Sequence, residues 1–549
     1  MSHTIQPHDD PRVTPSPTQE IQGNVSTWSP LRVPVFRALW IATVVSNIGT
    51  WMQNIGAAWL MMSLSQSPTM VALVQAATNL PVFLVGLPAG ALADIVDRRR
   101  LLLWTQGWML VITAVLSGLT FLGGVTPWVL LTLTFALGLG AALNAPAWQA
   151  IVPELVPRSE LQAAVTLNGV GFNVARAIGP ALGGIVVAVA GVGAVFLLNA
   201  VSFFGVLLVL FRWQRAPREN TLPPEHVLGA MRAGLRYVRY ATSVHPVLVR
   251  TGLVMLCGSA LWALLPLMAR AELGLDAVGY GLLLGALGVG AVIGATVLPR
   301  VRQRIAVDPL IAGATVLFAA VTVALAYVQA FAWLCVAMAG GGLAWITLMS
   351  SFNTAVQTSV PAWVRARALA VYLLVSQGGL AAGSVVWGAV AEHTGTTTAL
   401  LCAACGLVLG LVVTAYYHID REAVDVTPSL HWPEPTMTGA PRPEDGPVLV
   451  TIEYHIDPHH AGDFATAMQD LSVVRRRDGA MYWELFRDGA DPRRYLEIFL
   501  TESWVEHLRQ HTRVIIADRV LEQRVRSFHV GGDPVVVSHF ISAYAREHR

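Results

Sequence analysis

The chain has 549 residues, of which 54% are hydrophobic and only 13% are charged. Soluble domains carry about 25% charged residues, so this chain has too few charges to cover a surface that faces water. The formal net charge of +2 gives no support for a nucleic-acid partner.

Long apolar runs occupy the first three quarters of the chain, and an ordinary polar mixture follows. A membrane-crossing helix needs about twenty mostly apolar residues, because the bilayer interior offers its backbone no hydrogen-bonding partner. The runs predict spans at 36–62, 69–93, 101–123, 127–150, 165–190, 193–212, 249–269, 278–298, 308–329, 331–354, 367–391 and 396–417. We therefore expect an all-α polytopic membrane protein with twelve transmembrane helices in two six-helix halves, followed by a C-terminal α+β domain of the ferredoxin-like class.

The longest polar break separates the sixth span from the seventh and divides the bundle into equal halves. The predicted segments are a disordered cytoplasmic N-terminus at 1–30, the first half at 31–212, a cytoplasmic central loop at 213–248, the second half at 249–418, a Pro-rich linker at 419–446 and a cytoplasmic βαββαβ domain at 447–549.

The arginines between spans fall almost entirely on one side of the expected bundle. They are Arg98, Arg99, Arg100, Arg158, Arg212, Arg215, Arg218, Arg232, Arg236, Arg239, Arg300, Arg302, Arg304, Arg365 and Arg367. The opposite side carries Arg270 alone. Cytoplasmic loops are enriched in arginine, so we expect both termini in the cytoplasm and the protein in a bacterial-type cytoplasmic (inner) membrane.

The end of the second span carries a charged motif, GALADIVDRRR at 90–100, between two stretches without charge. Gly86 and Gly90 leave a surface on which another helix can approach the backbone closely. Asp94 follows one turn later, and an acid at the edge of the hydrocarbon normally has a partner because its burial is costly. Arg98 follows after one more turn. For the next two arginines, a purely topogenic role is the alternative.

This motif resembles the cytoplasmic gate motif of the major facilitator superfamily, G-x-L-A-D-x-x-[GD]-R-[RK]-[RK]. The matching residues are Gly90, Leu92, Asp94, Arg98 and Arg99. Two residues depart from the most frequent choice at their positions: Ile95, where a basic residue is common, and Asp97, where glycine is common. The resemblance implies that Asp94 lies against the start of the eleventh span, where the helix N-terminus is electropositive. It also implies that Arg98 pairs with Glu154 at the inner end of the fourth span, so that these charges hold the inside gate closed.

A second signature, G-P-x-x-G-G on the fifth span, is formed by Gly179, Pro180, Gly183 and Gly184. It predicts a bendable helix with a smooth face, although packing alone would also explain its glycines. Together with VRARALAVYLLVSQGG near the eleventh span, it makes residues 30–418 similar to the bacterial transmembrane secretion effector branch, which includes enterobactin-type siderophore exporters. The resemblance implies export of a siderophore, an antibiotic or another drug-like compound by alternating access, coupled to the proton gradient.

Transporters of this architecture bind substrate near the midplane between their halves. Arg176 is the only charged residue well inside a predicted span, and no carboxylate lies inside any span to neutralise it. An arginine at that depth is costly unless it meets water or an anion, so we expect Arg176 to bind an anionic group of the substrate. The other candidate binding residues are Asn47, Asn54, Gln75, Asn79, Asn144, Asn173 and Gln377. For each of them, hydrogen bonding to a neighbouring helix is the alternative.

The polar tail changes its hydrophobic period. Alternation in VLVTIEYHID predicts a strand, and AMYWELFRD, RYLEIFLT and PVVVSHFI predict three more, with one helix after the first strand and a long helix from Ser503 to Phe528. The βαββαβ order resembles the dimeric α+β barrel of antibiotic-biosynthesis-monooxygenase-like domains. A regulatory or dimerising module is therefore expected, and a membrane-tethered small-molecule monooxygenase-like enzyme is the alternative.

His507 and His511 lie four residues apart on the last predicted helix and could ligate a metal. No HExxH glutamate or third ligand accompanies them, so a surface or dimer role is expected, and no metal, cofactor or catalytic residue is predicted. The expected partners are a small-molecule substrate, the lipid bilayer and a second copy of the chain through the tail.

Overall fold

The structure is a computed structural model that describes residues 28–213, 227–241, 243–419, 425–429, 431–432, 441–531 and 534–543. Inside helices, the side chains of a few residues also lie outside the description, among them Asp94 and Arg158. The expectations for most of the N-terminal segment 1–30, and for parts of the central loop and the linker, concern residues outside the described ranges.

Proline and capping side chains mark where many of the helices begin. Pro34, Pro68 and Pro127 occupy first-turn positions, where proline costs no hydrogen bond. The helices of the membrane part are α1 (Pro34–Leu64), α2 (Pro68–Ile95), α3 (Arg98–Phe121), α4 (Pro127–Leu155), α5 (Leu161–Arg212), α6 (Val227–Tyr240), α7 (His245–Leu267), α8 (Ala277–Arg302), α9 (Val307–Tyr327), α10 (Phe331–Thr358), α11 (Arg365–Thr394) and α12 (Thr396–Tyr416).

Ten helices in the described residues are long and apolar enough to cross a membrane. The expectation of twelve spans differs at two places. Helix α1 has 31 residues but is not among the ten, because polar residues such as Asn47 and Asn54 lower its hydropathy. Helix α5 has 52 residues and counts once, although its straight length would be about 78 Å, more than twice the hydrocarbon thickness of about 30 Å. Gly191 interrupts it with φ 79° and ψ 171°, a conformation that glycine tolerates.

The membrane helices pack in two groups. In the first group α5 packs on α1 and α3, and α4 packs on α2 and α3. In the second, α7 packs on α11 and α12, and α10 packs on α8 and α9. Between the groups, α2 packs on α11 and α5 on α8. The segment predicted as a central loop contains α6, which packs on α11 and on the tail.

The four strands predicted for the tail are present. They are β1 (Val448–His455), β2 (Tyr482–Arg487), β3 (Arg494–Thr501) and β4 (Val536–Ile541), in one antiparallel sheet of order β2-β3-β1-β4. Val448, Val450 and Tyr454 are buried on one face of β1, as their alternation predicts. We call residues 441–543 the tail domain.

The prediction of one long helix from Ser503 to Phe528 is wrong. The structure has two helices there, α14 (Trp504–Arg513) and α15 (Ile516–Arg526), after α13 (Ala461–Asp478) earlier in the domain. Ile515 is extended and pairs with Pro428 of the linker in an isolated bridge. The two β-branched residues at 514–515 favour this extended conformation, and the linker contact supports it.

Candidate functional site between the two halves

Small residues bring the two halves into contact along α5 and α8. A Cβ added to Gly281 would lie 2.5 Å from the carbonyl oxygen of Pro180. A Cβ added to Gly288 would lie 2.6 Å from the Cα of Ala177. Glycine therefore lets backbones from different halves approach more closely than a larger residue would allow.

These contacts are concentrated at one end of the bundle. We call the end that carries the tail domain the tail end, and the opposite end the far end. The glycine contacts between halves reach from the far end to Phe83, Arg176 and Gly288. A Cβ on Gly90 or Gly169, nearer the tail end, would meet no atom of the described residues within 4 Å. The close helix approach expected at Gly90 is absent from the described residues, because no backbone of the second half lies against it.

Arg176 lies where the contacts between halves end. It is 8% exposed, and its guanidinium carbon is 5.8 Å from the ring centroid of Trp51 in α1 and 5.8 Å from that of Trp262 in α7. Its Nε atom and the indole nitrogen of Trp262 are buried without a hydrogen-bond partner in the described part of the chain. The structure thus places one cation close to two indoles, one from each half, with two donors unused.

The arginines of the charged motif are held within the first half. Arg98 Nη1 donates to Glu154 Oε1 at 2.9 Å and to the carbonyl oxygen of Ala150 at 3.1 Å. Arg99 Nε donates to the carbonyl oxygen of Leu210, near the end of α5, at 3.0 Å. The structure therefore brings Arg98 and Glu154 together and gives Arg99 a contact of its own.

The two acids of the motif have different positions. Asp97 is the N-cap of α3, and its Oδ1 accepts the backbone N–H of Arg100 at 2.9 Å. This cap explains why an acid replaces the glycine common at that position. The backbone of Asp94 is in the last turn of α2, and its side chain lies outside the described residues.

The glycines of the second signature face two neighbours. A Cβ on Gly179 would lie 2.5 Å from α1, and a Cβ on Gly183 would lie 2.9 Å from α1. A Cβ on Gly184 would overlap a backbone carbonyl of α8, and the carbonyl of Pro180 also faces α8. The signature therefore packs α5 against its own half and against the other half at once.

The remaining predicted binding residues are of different kinds. Gln377 Nε2 donates to Asn79 Oδ1 at 3.3 Å and joins α11 to α2 across the halves. Asn144 accepts from Thr105 at 3.0 Å within the first half, and Asn173 donates to the backbone of its own helix. Asn47 and Gln75 are half-buried, and Asn54 is exposed. Bonding within one half thus occupies Asn144 and Asn173, whereas Asn79 and Gln377 connect the halves.

A comparison with known protein families agrees with this arrangement. The model of the transmembrane secretion effector family, a branch of the major facilitator superfamily, matches residues 25–548. The chain belongs to this family. The match extends over the tail domain as well as the membrane helices.

Two curated relatives of this family member have named substrates. The chain is 27% identical over 264 residues to the staphyloferrin A transporter of Staphylococcus aureus (strain NCTC 8325 / PS 47), covering 47% of this chain and 65% of that one. It is 26% identical over 388 residues to the enterobactin exporter EntS of Citrobacter koseri, covering 68% of this chain and 90% of that one. The match to the uncharacterized transporter YfiS of Bacillus subtilis covers 54% of that protein, so two of these three alignments span less than two thirds of the relative.

Solved structures resemble the membrane part. One is a bacterial homologue of the iron transporter ferroportin in the inward-facing state, with a TM-score of 0.54 and 16% identity over 71% of this chain and 99% of that one. Another is a bacterial homologue of the human lysosomal transporter Spinster in an inward-facing, unoccupied conformation, with a TM-score of 0.56 and 14% identity over 71% of this chain and 98% of that one. At these identities the likeness shows the fold alone, which is that of a polytopic helical major facilitator.

An internal repeat relates the two halves of this family member, and the sequence analysis did not identify it. The residues repeated after 204 positions are Gly86 and Gly290, Gly90 and Gly294, Arg98 and Arg302, and Gly138 and Gly342. Arg302 donates to Thr354 at 3.3 Å and to Ser350 at 3.1 Å. Arg302 and Thr354 are 52 positions apart, as are Arg98 and Ala150. The second half therefore repeats the contact with neutral hydroxyl partners, and the shared G-x-x-x-G spacing was the signal in the sequence.

A buried ion pair joins three helices of the second half at the tail end. Arg250 of α7 donates to Asp308 in the first turn of α9 and to the carbonyl oxygen of Tyr417 at 3.4 Å. The backbone nitrogen of Ile419 donates to Asp308 Oδ2 at 3.1 Å. Both charged residues lie at the edges of predicted spans, where charges are common, and this position gave no sequence signal.

The tail domain contains a buried ionic core. Arg475 of α13 is 4% exposed, and it donates to Glu497 Oε1 at 3.0 Å and to Glu522 Oε1 at 2.7 Å. The hydroxyl of Tyr454 and the indole nitrogen of Trp483 each donate to Glu497 at 3.0 Å. Every charge in this group is therefore paired, as burial requires.

The predicted linker is partly packed on this core. Trp432 Nε1 donates to Glu522 Oε2 at 2.9 Å, and His431 Nε2 lies 2.8 Å from the same oxygen. Burial opposes ionisation of Glu522, but the charge of Arg475 and the hydrogen bonds from Trp432 and His431 outweigh it and lower its pKa. At these residues the linker is part of the tail structure.

The expected surface role is wrong for His507, which is 1% exposed. Its Nε2 lies 3.4 Å from Nε2 of His511, and its ring centroid lies 4.8 Å from that of His539. Burial, followed by the neighbouring histidines, lowers the pKa of His507 to about 3. Among the described residues, no group of three or more metal-ligating side chains could hold an ion.

The tail domain is attached to the second half and to the central loop. Glu506 Oε1 accepts from Arg236 of α6 at 3.2 Å and from Arg513 at 2.5 Å. The guanidinium carbon of Arg513 lies 4.5 Å from the ring centroid of Trp363, just before α11. Trp363 also meets Tyr237 of α6 edge to face at 5.4 Å. One face of α14 therefore contacts the segment that leads into α11.

Proposed function

We propose that this protein exports a small organic anion, such as a siderophore, an antibiotic or another drug-like compound, by alternating access. The observation that carries the proposal is the uneven contact between the halves. Arg176 is buried where the contact ends, and among the described residues no atom would lie within 4 Å of a Cβ on Gly90 or Gly169. A site between two halves that is closed on one side and reachable from the other is what alternating access requires. The enterobactin exporter and staphyloferrin A transporter among the relatives support a siderophore as cargo.

We propose twelve spans for this transporter. Helix α1 supplies one span beyond the ten, and the break at Gly191 divides α5 into two. Both termini, the arginine-rich loops and the tail domain then lie in the cytoplasm, under the positive-inside rule. In this orientation the described state opens toward the cytoplasm and would load substrate there, with export driven by the proton gradient.

We propose that gate closure brings the start of α11 against Asp94, into the space now open beside Gly90. Arg98 and Glu154 keep the end of α2 in position for this contact, and the glycines of α5 permit the accompanying movement. Asp94→Asn should then reduce export while leaving the amount of protein in the membrane unchanged. Export at the wild-type rate by this variant would exclude the gate role.

The proposed substrate site is tested by efflux from cells that lack the gene and are complemented with defined variants. Export of enterobactin, staphyloferrin A and a panel of antibiotics is compared for wild type, Arg176→Gln and Arg270→Gln. Arg270 is a matched control, because it also stacks on an indole, that of Trp59, at 5.3 Å but lies at the far end. Loss of export in Arg176→Gln alone supports the site. Equal export by the two variants contradicts it.

We also propose that the tail domain pairs with a second copy through the open face of its sheet. That face carries Tyr482, Phe486, Val536 and Phe540, between 47% and 59% exposed, in rows set by the strand register. Exposed apolar side chains in such rows indicate an interaction surface. The mass of the detergent-solubilised full chain, measured by light scattering, should fall from dimer to monomer in Phe540→Asp. A monomeric wild type would refute this pairing.

A further inference from the structure

Arg176 has an unusual environment for a buried cation. In the described residues it has no ion pair, and its guanidinium carbon lies 5.8 Å from the ring centroids of both Trp51 and Trp262. Aromatic faces attract cations through their quadrupole. The two indoles therefore stabilise this charge in the place of a carboxylate.

This stabilisation leaves hydrogen-bonding capacity unused. Cation–π contacts satisfy none of the guanidinium N–H groups, and Arg176 Nε is buried without a partner. The indole N–H of Trp262 is also buried without a partner, and buried donors that lack an acceptor cost free energy. An acceptor that reached both donors would remove both costs at once.

We propose that Arg176 Nε and Trp262 Nε1 together bind one oxyanion of the exported molecule, a carboxylate or a comparable planar group. This inference rests on the proposed function and adds Trp262 as a residue that determines specificity. Hydrogen bonds from a charged donor to an oxyanion are stronger than cation–π contacts, so the anion adds stabilisation that the two indoles do not supply. A neutral analogue gains no such pairing and binds weakly.

The two donors belong to different halves of the transporter. Arg176 is on α5 of the first half, and Trp262 is on α7 of the second. A single oxyanion held by both therefore links the halves at the point where their contact ends. Substrate loading and the relative position of the halves are coupled through this link, because a ligand shifts a conformational equilibrium only through contacts that differ between the states.

The test uses the purified full chain in lipid nanodiscs and equilibrium binding of radiolabelled salicylate, with salicylamide as the neutral analogue. Wild type should bind salicylate at least tenfold more tightly than salicylamide, and Trp262→Phe should lose about tenfold in salicylate affinity with no change for salicylamide. Trp59→Phe is the matched control, because the indole of Trp59 stacks on Arg270 at the far end, and its salicylate affinity should stay within twofold.

Each outcome separates this inference from the proposed function. If Trp262→Phe binds salicylate like wild type while Arg176→Gln does not bind it, the shared site is refuted and the anion role of Arg176 stands. If Arg176→Gln also binds salicylate like wild type, both fail. Equal affinity of wild type for salicylate and salicylamide overturns the oxyanion assignment directly.

Discussion

Glu497 is the carboxylate on which the tail domain depends most, and its replacement by glutamine gives a quantitative test. Glu497 is fully buried and accepts hydrogen bonds from Arg475, Tyr454 and Trp483 at 3.0 Å each. Glutamine has the same shape but removes the charge and turns an amide toward the guanidinium. Breaking a buried ion pair by removing one partner costs about 3–5 kcal/mol.

The low end of that range applies here, because Arg475 keeps its second partner, Glu522, at 2.7 Å. A loss of about 3 kcal/mol is a large part of the roughly 5–15 kcal/mol that stabilises a typical domain. It corresponds to about a 150-fold rise in the population of the open tail domain. The hydrogen-bond partners of Glu497 named above all belong to the tail domain, so the membrane helices should keep their stability.

Hydrogen exchange of the full chain in detergent measures this effect, with peptides covering 448–455 and 494–501. The control is Glu453→Gln. Glu453 follows Ile452, which lies opposite Glu497 in the sheet. Its ion pair with Arg494 is solvent-accessible and should contribute about 1 kcal/mol or less to the stability of the tail domain. Exchange in Glu497→Gln no faster than in Glu453→Gln would refute the reasoning. Transport by Glu497→Gln also shows whether a folded tail domain is needed for activity.

Three further predictions concern docking, acid and packing. Trp363→Ala removes the indole on which Arg513 stacks and should weaken docking of the tail domain by about 1–2 kcal/mol. A broader distribution of label-to-label distances between tail domain and bundle would show this, and an unchanged distribution counts against it. The pKa of His507, about 3, lies below its unfolded value of about 6.5. The contribution of the neutral ring to the stability of the tail domain is therefore complete above pH 6.5 and falls on acidification, by about 2 kcal/mol at pH 5. Denaturant titrations measure this loss, and a flat pH profile contradicts it. Gly290→Ala should lower the melting temperature, because its Cβ would overlap a carbonyl of α10, whereas Gly90→Ala should not; equal melting temperatures would show that the overlap relaxes.

The sequence predicted the elements whose signal is local. Apolar runs located the membrane helices, and alternation located the four strands. It did not predict the break at 514–515, because that break depends on pairing with Pro428 from the linker. It also placed α6 in a polar loop, because this helix is stabilised by packing on α11 and α13.

The candidate site was predictable in part for the same reason. Arg176 was identifiable because a charged residue inside an apolar run is visible in the sequence itself. Trp262 was not, because tryptophan is common in apolar runs and its unpartnered nitrogen appears only in three dimensions. Likewise Asn144 and Asn79 look equivalent in the sequence, and only the structure shows that one bonds within a half and the other across the halves.

The attachment of the tail domain to Trp363 and α6 has a mechanical consequence. When the second half rotates during a transport cycle, the tail domain must move with it, because it is attached to that half. If two tail domains pair, the second halves of two transporters are mechanically connected, and neither can move without exerting a force on the other. Export by such a pair would show cooperativity that isolated carriers lack.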